Sequence, residues 1–556
     1  MDAATMRQRA LAAKAAGDDG GAAQLFAAGL AAHPTDAAFA NSAGNFHAGA
    51  GRPETALTLF DRALLLAPGL HEAAINRAVV LTRLGRATEA AAYLRERAAD
   101  LSAAPRYWTV RAAAELTSGE TGAAAASYDE ALRRDPTNVR ARIGRARAGL
   151  ERGEDRAVDD HERALSASPG DPNVLLGYAQ ALDAAGRSAE ALIVSEALAT
   201  QLTGWTEGLE LHARLRWARG DGDAFADHYV AAVKAAREPG VYRSWAAMLA
   251  GVDRQSAAAD VLSAARRFWS ADSDLALAEA IAAGEAGDDA RAWALFDGHR
   301  RDEPAWQVAE ARQRLREADP LAADELLEAA VRAAPGDVTG WGLRDLCWRL
   351  LGDERHTWLH GQPGVIQTVP LDLSDEQVTS LRALLDRLHD RSGMPVGQSV
   401  KHGSQTRGAL FARPEPEIAL IANAVTRALE TYRAGLPPSD PSHPLLRYRD
   451  KPWLINGSWS IRLDGAGHHA PHIHPHGILS SAAYLAVPSQ VLDQGGQGRL
   501  ELGRPPAELR VDLPPIATIA PQVGLCALFP STLFHGTRPI SAGRRTTVAF
   551  DVTAAG

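Results

Sequence analysis

Nine residues near the C-terminus, 468–476, hold five of the chain's 18 histidines in the sequence HHAPHIHPH. In an extended segment, side chains two residues apart leave the same face, so His472 and His474 are predicted to point in one direction. His535 follows 61 residues after His474. That is the spacing of a jelly-roll in which one strand end supplies two ligands and a strand near the C-terminus supplies the third. The pattern predicts a metal site.

The residue types of the ligands narrow the choice of metal ion but do not identify it. Imidazole binds iron(II), zinc, copper and nickel, so nitrogen ligands alone do not select one of them. The chain has two cysteines, Cys347 and Cys526, one in each half. Neither a disulfide framework nor a thiolate cluster is therefore expected, and any metal is predicted to be held by nitrogen and oxygen.

An arginine shortly after the last histidine indicates a second component of the site. Arg545 lies ten residues after His535, on a predicted strand that would run beside it, and Thr547 shares its face. A guanidinium is permanently charged and offers paired N–H groups that match a carboxylate. We therefore expect an anionic co-ligand beside the metal, for which 2-oxoglutarate is the obvious candidate.

The elements that would position these residues begin after residue 364. A strand is predicted at 365–369, with helices at about 374–391 and 414–435. Short strands are then predicted at 458–463, 479–487, 498–502, 516–519, 525–529 and 546–552. Helices followed by many short strands predict an antiparallel sandwich or jelly-roll with helices on one side.

Five further residues are candidates for the wall of a pocket. Trp459 and Tyr484 flank the histidines on predicted strands, where an aromatic side chain usually belongs to the core. Arg462 would need an anionic partner, such as a substrate carboxylate, if it faces inward. Gln398 and Gln405 lie in a loop-like stretch whose polar side chains suit a pocket rim.

The first two-thirds of the chain repeat with a period of about 34 residues. Glycine or aspartate recurs where a helix is expected to end in a left-handed turn. These positions are Gly17, Gly51, Gly85, Gly119, Gly153, Gly186, Gly220, Asp253, Gly287, Asp319 and Gly352. Prolines 34, 68, 136 and 169 follow the same period and are expected to end the second helix of each unit.

This pattern resembles the tetratricopeptide repeat, with alanines and leucines at helical spacing between the glycines. The resemblance covers residues 5–352, about ten units. It implies an all-α right-handed superhelix whose groove binds a peptide or protein. Residues 353–364 are predicted to be a linker to a separate domain at 365–556.

The motifs of that domain resemble iron(II)- and 2-oxoglutarate-dependent oxygenases, and specifically a bacterial group of tetratricopeptide-repeat proteins that end in such a domain. They are QS at 398–399, GSQT at 403–406, GSWSIRL at 457–463, HIHPHG at 472–477, SSAAY at 480–484, LGRPP at 502–506, LFPS at 528–531, HGT at 535–537 and Arg545. The resemblance implies a double-stranded β-helix in which His472 and His535 bind iron and Arg545 binds the distal carboxylate of 2-oxoglutarate.

The sequence departs from that family at one ligand. Most of the wider superfamily has a carboxylate two residues after the first histidine, where this chain has His474. Either the site has three histidines, or His474 turns away and water completes a two-histidine site. Asp464 and Asp493 lack the spacing of a ligand. We expect hydroxylation rather than halogenation, because a full-sized histidine leaves less room for a halide than a small residue would.

Composition excludes some functions and partners. A net charge of -9 and a pI of about 6.1 argue against a nucleic-acid binder. No stretch approaches the ~18 consecutive apolar residues of a membrane helix, and the first thirty residues lack the apolar run of a signal peptide. A cytoplasmic protein with no membrane partner is expected.

Together these features predict a dioxygenase that hydroxylates a side chain of a protein or peptide recruited by the repeat array. A fused binding groove would raise the effective concentration of substrate at the iron. Two alternatives are a catalytically silent metal-binding module in which the array carries the function, and an oxygenase of small molecules.

Overall fold

The computed structural model describes residues 1–299, 302–393, 396–489 and 496–554. Contacts divide the chain into two compact units, Met1–Gly177 and Tyr178–Gly556. The predicted domain boundary at 353–364 falls elsewhere and stays a prediction. Among the described residues, no helix combines the length and the apolar character that crossing a membrane requires.

The first unit consists of helices that pack in sequential pairs, such as α3 with α4 and α8 with α9. Its helices are α1 (Ala3–Ala15), α2 (Asp19–Ala32), α3 (Ala37–Gly49), α4 (Pro53–Leu66), α5 (His71–Arg83), α6 (Ala87–Glu96), α7 (Ala98–Leu101), α8 (Tyr107–Thr117), α9 (Thr121–Arg134), α10 (Val139–Glu151) and α11 (Ala157–Ala167), followed by α12 (Pro172–Ala184). Alanine and phenylalanine fill the contacts between paired helices, as at Phe26, Phe39 and Phe46.

The predicted helix ends are confirmed at all but one position. Every glycine of the series has a positive φ, between 61° and 94°, and Asp253 has a φ of 63°. The exception is Asp319, where the left-handed residue is Ala318 with a φ of 59°. Asp319 instead caps α21 (Pro320–Ala333), because its carboxylate accepts the backbone N–H of Ala322. Each of the four prolines comes two residues after the last residue of a helix.

The second unit begins with more helices of the same kind. They are α13 (Ser188–Gln201), α14 (Thr206–Arg219), α15 (His228–Ala235), α16 (Pro239–Ala250), α17 (Gln255–Arg266), α18 (Ser273–Ala286), α19 (Asp289–Asp297), α20 (Pro304–Arg316), α21 and α22 (Val338–Leu351). Their core is rich in alanine and includes Trp306, with Trp217, Trp245 and Trp293 packed against it.

The C-terminal part of this unit is an antiparallel β-structure with two helices. Its elements are β1 (Gln367–Pro370), α23 (Asp375–His389), β2 (Val400–Gln405), α24 (Pro416–Ala434), β3 (Trp453–His469), β4 (Leu479–Ala486), β5 (Leu500–Leu502), β6 (Ala517–Ile519), β7 (Leu525–Pro530), β8 (His535–Thr537) and β9 (Arg545–Ala554). The predicted strands and both helices are present, and Ser374 caps α23 in a capping box with Gln377.

The strands form two sheets. The larger sheet has the order β1-β7-β4-β9-β3-β2 and the smaller has the order β6-β5-β8. The described strands do not close into a barrel, so the structure shows an antiparallel β-sheet domain rather than a complete jelly-roll. Helices α23 and α24 cover one face of the larger sheet, where Leu385 and Ile421 share a core with Phe550.

The last repeat helices pack directly on the β-structure. Leu343 of α22 and Leu315 of α20 share a hydrophobic cluster with Leu509 and Phe534. The guanidinium of Arg349 donates to the carbonyl oxygen of Gly503 at 2.5 Å. These helices therefore form one wall of the C-terminal region as well as the end of the array.

Candidate metal centre

Backbone pairing brings the three histidines together. His472 and His535 form an antiparallel bridge, in which the two backbone N–H groups donate to the opposite carbonyl oxygens at 3.0 and 2.9 Å. His474 extends from the same side, and the Nε2 atoms of His472 and His474 lie 3.0 Å apart. One nitrogen from each of the three imidazoles lies within 4.8 Å of the other two. This triad can meet at one metal ion.

Nδ1 of each histidine makes a hydrogen bond to a neighbouring oxygen. This leaves Nε2 as the nitrogen that faces the centre of the triad. Nδ1 of His472 donates to the carbonyl oxygen of Ala470 at 2.9 Å, and Nδ1 of His535 donates to that of Leu533 at 3.0 Å. Nδ1 of His474 donates to the carboxylate of Asp551 at 2.5 Å. Each Nε2 therefore keeps its lone pair for a metal.

The residue between the two neighbouring histidines anchors the segment from its opposite face. Ile473 packs into the cluster that includes Leu343 and Phe534. A Cβ atom at Gly342 of α22 would lie 2.6 Å from Cδ1 of Ile473 and 2.7 Å from the carbonyl oxygen of Thr532. Glycine at 342 thus lets the segment sit close against the repeat helix, so that His472 and His474 face the other way.

Burial keeps His472 and His535 in the form that binds metals. Desolvation, together with the neighbouring His474, lowers the pKa of His472 to about 3. Desolvation also lowers the pKa of His535 well below its usual value, with nearby histidines adding to the effect. These imidazoles are therefore neutral near pH 7, and the neutral ring is the metal ligand.

Arg545 is a buried cation without a counter-ion among the described residues. Its side chain is 2% exposed, and its Nε and Nη1 atoms have no hydrogen-bond partner in the described part of the chain. The guanidinium lies over the ring of Tyr484, 5.2 Å from the ring centre, and burial lowers the pKa of Arg545. Burying a charge without a counter-ion is unfavourable, so we expect an anion to bind beside Arg545.

The triad and the arginine line the same cavity. This inner cavity has a volume of about 50 Å³, and its wall includes His472, His474, His535, Arg545 and Thr547. An outer cleft of about 350 Å³ adjoins it and shares His472 and His474. The arrangement provides a small compartment for a metal and an anion and a wider space for a larger molecule.

The predicted pocket residues divide into two groups. Gln398, Gln405 and Trp459 line both cavities, and the Trp459 ring centre lies 5.7 Å from that of His474. Tyr484 is fully buried beneath Arg545. Arg462 does not line either cavity, because its Nη1 donates at 2.8 Å to Asp390, the residue that follows α23, and that carboxylate is the anionic partner its position requires.

Two expectations about local structure were wrong. The stretch that contains Gln405 is strand β2, paired with β3, and not a loop. The strand of Arg545, β9, does not run beside that of His535, because β9 pairs with β3 and β4 while β8 pairs with β5 in the other sheet. Arg545 and His535 approach the inner cavity from different sheets.

The sequence assigned no role to two residues of the site, although one of them, Ser399, belongs to the QS motif at 398–399. Asp551 contacts His474, and Ser399 Oγ lies 3.0 Å from Nδ1 of His469 and 3.3 Å from Nε2 of His472. Asp464 contacts Arg544 and lines neither cavity. Asp493 lies outside the described residues.

Comparison with protein families gives a match in the C-terminal region. Residues 457–551 match the family described as "Putative 2OG-Fe(II) oxygenase". The C-terminal region of the chain is therefore similar to this family. The matched segment begins on β3 and ends at Asp551, so it contains the triad and Arg545. A search of the curated proteins finds no match to the chain.

Solved structures similar to this chain include tetratricopeptide-repeat proteins. A tetratricopeptide-repeat protein from Parabacteroides merdae is 18% identical, with 44% of this chain and 97% of that chain covered and a TM-score of 0.36. The Pseudomonas aeruginosa protein pilF is 19% identical, with 38% and 96% covered and a TM-score of 0.31. YrrB, a TPR protein with an unusual peptide-binding site, is 16% identical, with 31% and 90% covered and a TM-score of 0.27. At such scores these likenesses carry no conclusion about function.

Proposed function

We propose that the chain is an iron(II)- and 2-oxoglutarate-dependent dioxygenase that hydroxylates a side chain of a protein or peptide. The observation that carries this proposal is the buried guanidinium of Arg545, which has no counter-ion among the described residues and lines the same cavity as three converging imidazole nitrogens. A structural metal site would need the triad alone. An anion-binding arginine beside it suits a metal that works together with an anionic co-substrate.

The donor set fits iron(II). Three imidazoles on one side leave further coordination positions open, as in the iron(II) oxygenases that use two histidines and a carboxylate. Bound iron(II) would supply the redox chemistry for oxidation by O2, in which one oxygen atom would end in succinate as 2-oxoglutarate loses CO2 and the other would be inserted into a substrate C–H bond. His472, His474 and His535 would hold the ion, with their rings oriented by Ala470, Asp551 and Leu533.

The arginine fits the distal carboxylate of 2-oxoglutarate. Its Nε and Nη1 atoms have no hydrogen-bond partner among the described residues, so the guanidinium has donors available for a carboxylate. Thr547 lines the same wall two residues further along β9 and offers a hydroxyl group. In this role Arg545 would orient the co-substrate and neutralise its charge inside a compartment that excludes most water.

The mouth of the site supports a substrate delivered by the repeats. Gln398 and Ser399 line both cavities, and the residue before them, Gly397, donates its backbone N–H to the carbonyl oxygen of Gly251 at 3.0 Å. Lys401 pairs with Asp253 at 2.8 Å. Since Gly251 and Asp253 belong to a repeat turn, a peptide held by the neighbouring repeats would lie close to the outer cleft.

Hydroxylation is favoured over halogenation by the same geometry. The imidazole of His474 fills the position in which a halide would need space, and its ring centre lies 4.9 Å from that of His535. The substrate would reach the site through the outer cleft, between Trp459 and the two glutamines.

The test is conversion of 2-oxoglutarate to succinate by the full-length protein with iron(II) and no added substrate. Wild type should form succinate slowly through uncoupled turnover, and His535→Ala should form none because two imidazoles hold iron(II) too weakly. Arg544→Met, at an exposed arginine next to Arg545, is the control and should match wild type. Metal binding without succinate formation in wild type would instead indicate a silent metal-binding module.

A further inference from the structure

Asp551 is the one carboxylate among the described residues that line the two cavities. It lies on β9, six residues after Arg545, and opposite Gly457 on β3. Its Oδ1 accepts the N–H of His474 at 2.5 Å, and both side chains are largely buried, 21% and 17% exposed. The site therefore has a carboxylate that is hydrogen-bonded to one of the candidate metal ligands.

The other two imidazoles are held in a different way. His472 and His535 each donate to the backbone carbonyl two residues earlier. The corresponding carbonyl for His474 is that of His472, which already accepts the backbone N–H of His535 at 2.9 Å. Nδ1 of His474 is thus left to a charged acceptor, while its two partners have neutral ones. The asymmetry singles out the histidine that stands where the wider superfamily has a carboxylate ligand.

We propose that Asp551 is the positioning residue of His474 and that the His474–Asp551 pair takes over the role of the missing carboxylate ligand. A charged acceptor binds the imidazole N–H more strongly than a carbonyl does, which fixes the ring and makes Nε2 a stronger donor. The pair would return negative charge to a site with three neutral ligands. This inference rests on the proposed function only in treating the triad as a metal site.

The experiment is a cobalt(II) titration of the full-length apoprotein, followed by visible absorption and by competition with a chelator. Asp551→Ala should weaken cobalt(II) binding about 10- to 100-fold, the usual effect of removing a partner of a metal-bound histidine. Asp551→Asn should lose less, because an amide oxygen still accepts the N–H. Asp464→Asn, at an exposed carboxylate that lines neither cavity, is the matched control and should bind as wild type does.

The absorption spectrum of the cobalt(II)-loaded protein distinguishes a positioning role of Asp551 from a purely structural one. At saturating cobalt(II), the d–d bands of Asp551→Asn should lie at lower energy than those of wild type, because His474 is then a weaker donor to the metal. Unchanged bands together with wild-type affinity in Asp551→Ala would overturn the proposal. So would complete loss of binding in Asp551→Asn with cobalt(II) retained in His474→Ala, since Asp551 would then be a direct ligand.

The failure of this inference differs from failure of the proposed function. If His535→Ala loses cobalt(II) while Asp551→Ala binds it normally, the metal site stands and the positioning role falls. If His535→Ala binds cobalt(II) as wild type does, the triad is not the metal site and both fall.

Discussion

Replacing Arg545 by methionine should change affinity and stability in opposite directions. Methionine is similar in length and has no charge, so it removes the guanidinium without opening a large hole. In the apoprotein Arg545 is buried with Nε and Nη1 unpaired in the described part of the chain. In the complex with 2-oxoglutarate the same group would be paired with a carboxylate.

The two effects have different magnitudes. Loss of one partner from a buried charge pair costs about 3–5 kcal/mol. Since about 1.4 kcal/mol is tenfold, the requirement for 2-oxoglutarate should rise by about two to three and a half powers of ten. Desolvation of an unpaired charge costs several kcal/mol, and the contact with Tyr484 offsets about 2 kcal/mol of it, so the apoprotein should gain about 1–3 kcal/mol.

The assay is thermal melting of the metal-loaded protein with and without 2-oxoglutarate, with cobalt(II) affinity measured separately. Wild type should melt higher as 2-oxoglutarate is added. Arg545→Met should start from a higher melting temperature, show no rise, and still bind cobalt(II). Arg545→Lys should recover only part of the response, because an ammonium lacks the paired donors.

A structural role for Arg545 would give the opposite result. Arg545→Met would then melt well below wild type, and 2-oxoglutarate would raise both melting temperatures equally. Arg544→Met separates the loss of a positive charge from the loss of this particular arginine, because Arg544 precedes it on the chain and is 59% exposed.

Three further predictions concern the ligands, the domain boundary and pH. His474→Ala should weaken iron binding markedly and His474→Asp should restore much of the activity; full succinate formation by the alanine variant would contradict the three-histidine reading. A fragment from residue 302 should fold and bind cobalt(II), whereas one from 365 should bind it more weakly because it exposes Phe534 and its neighbours; equal binding would show that the repeat helices are dispensable. Burial lowers the pKa of His389 to about 4, so the unfolded chain takes up a proton that the fold excludes. This histidine alone should lower the free energy of unfolding by about 3 kcal/mol between about pH 6.5 and 4. When unfolding by denaturant is measured across that pH range, the free energy of unfolding should fall less in His389→Gln than in wild type. An equal fall in both proteins would show that His389 does not cause it.

The parts of the site that the sequence predicts are those whose geometry is local. His472 and His474 are two residues apart, so their shared direction follows from the period of an extended chain. Arg545 can be identified by its permanent charge among predicted strand residues. Asp551 has no such mark, because it lies 77 residues from His474 and reaches it only through the pairing of β9 with β3.

Pairing partners account for most of the errors in the same way. Arg462 is on a correctly predicted strand, but its partner Asp390 comes from the end of α23, which no local pattern indicates. β2 contains Gly403, has His402 at a φ of 53° and shifts register against β3, so its composition resembles that of a loop.

The repeats show that one residue type, aspartate, can occupy the same place in a sequence pattern in two different structural roles. Aspartate is acceptable in a left-handed turn and is also a favourable N-cap. Asp253 takes the first role and Asp319 the second, one residue after the left-handed Ala318. The period of the array is therefore readable from the sequence, while the role of a particular aspartate depends on the helix that follows.

The histidine triad and the end of the repeat array are linked through one short segment. In residues 472–474 the histidines face the cavity, and Ile473 fills the contact with α22 where Gly342 leaves room for it. Displacing Ile473 would move both neighbouring imidazoles, since their directions are set by the same extended backbone. The contact of Gly251 with Gly397 adds a second link, at the cavity mouth. The repeats of the second unit are thus part of the scaffold of the site, and a ligand that shifts these repeats would change the geometry of the site.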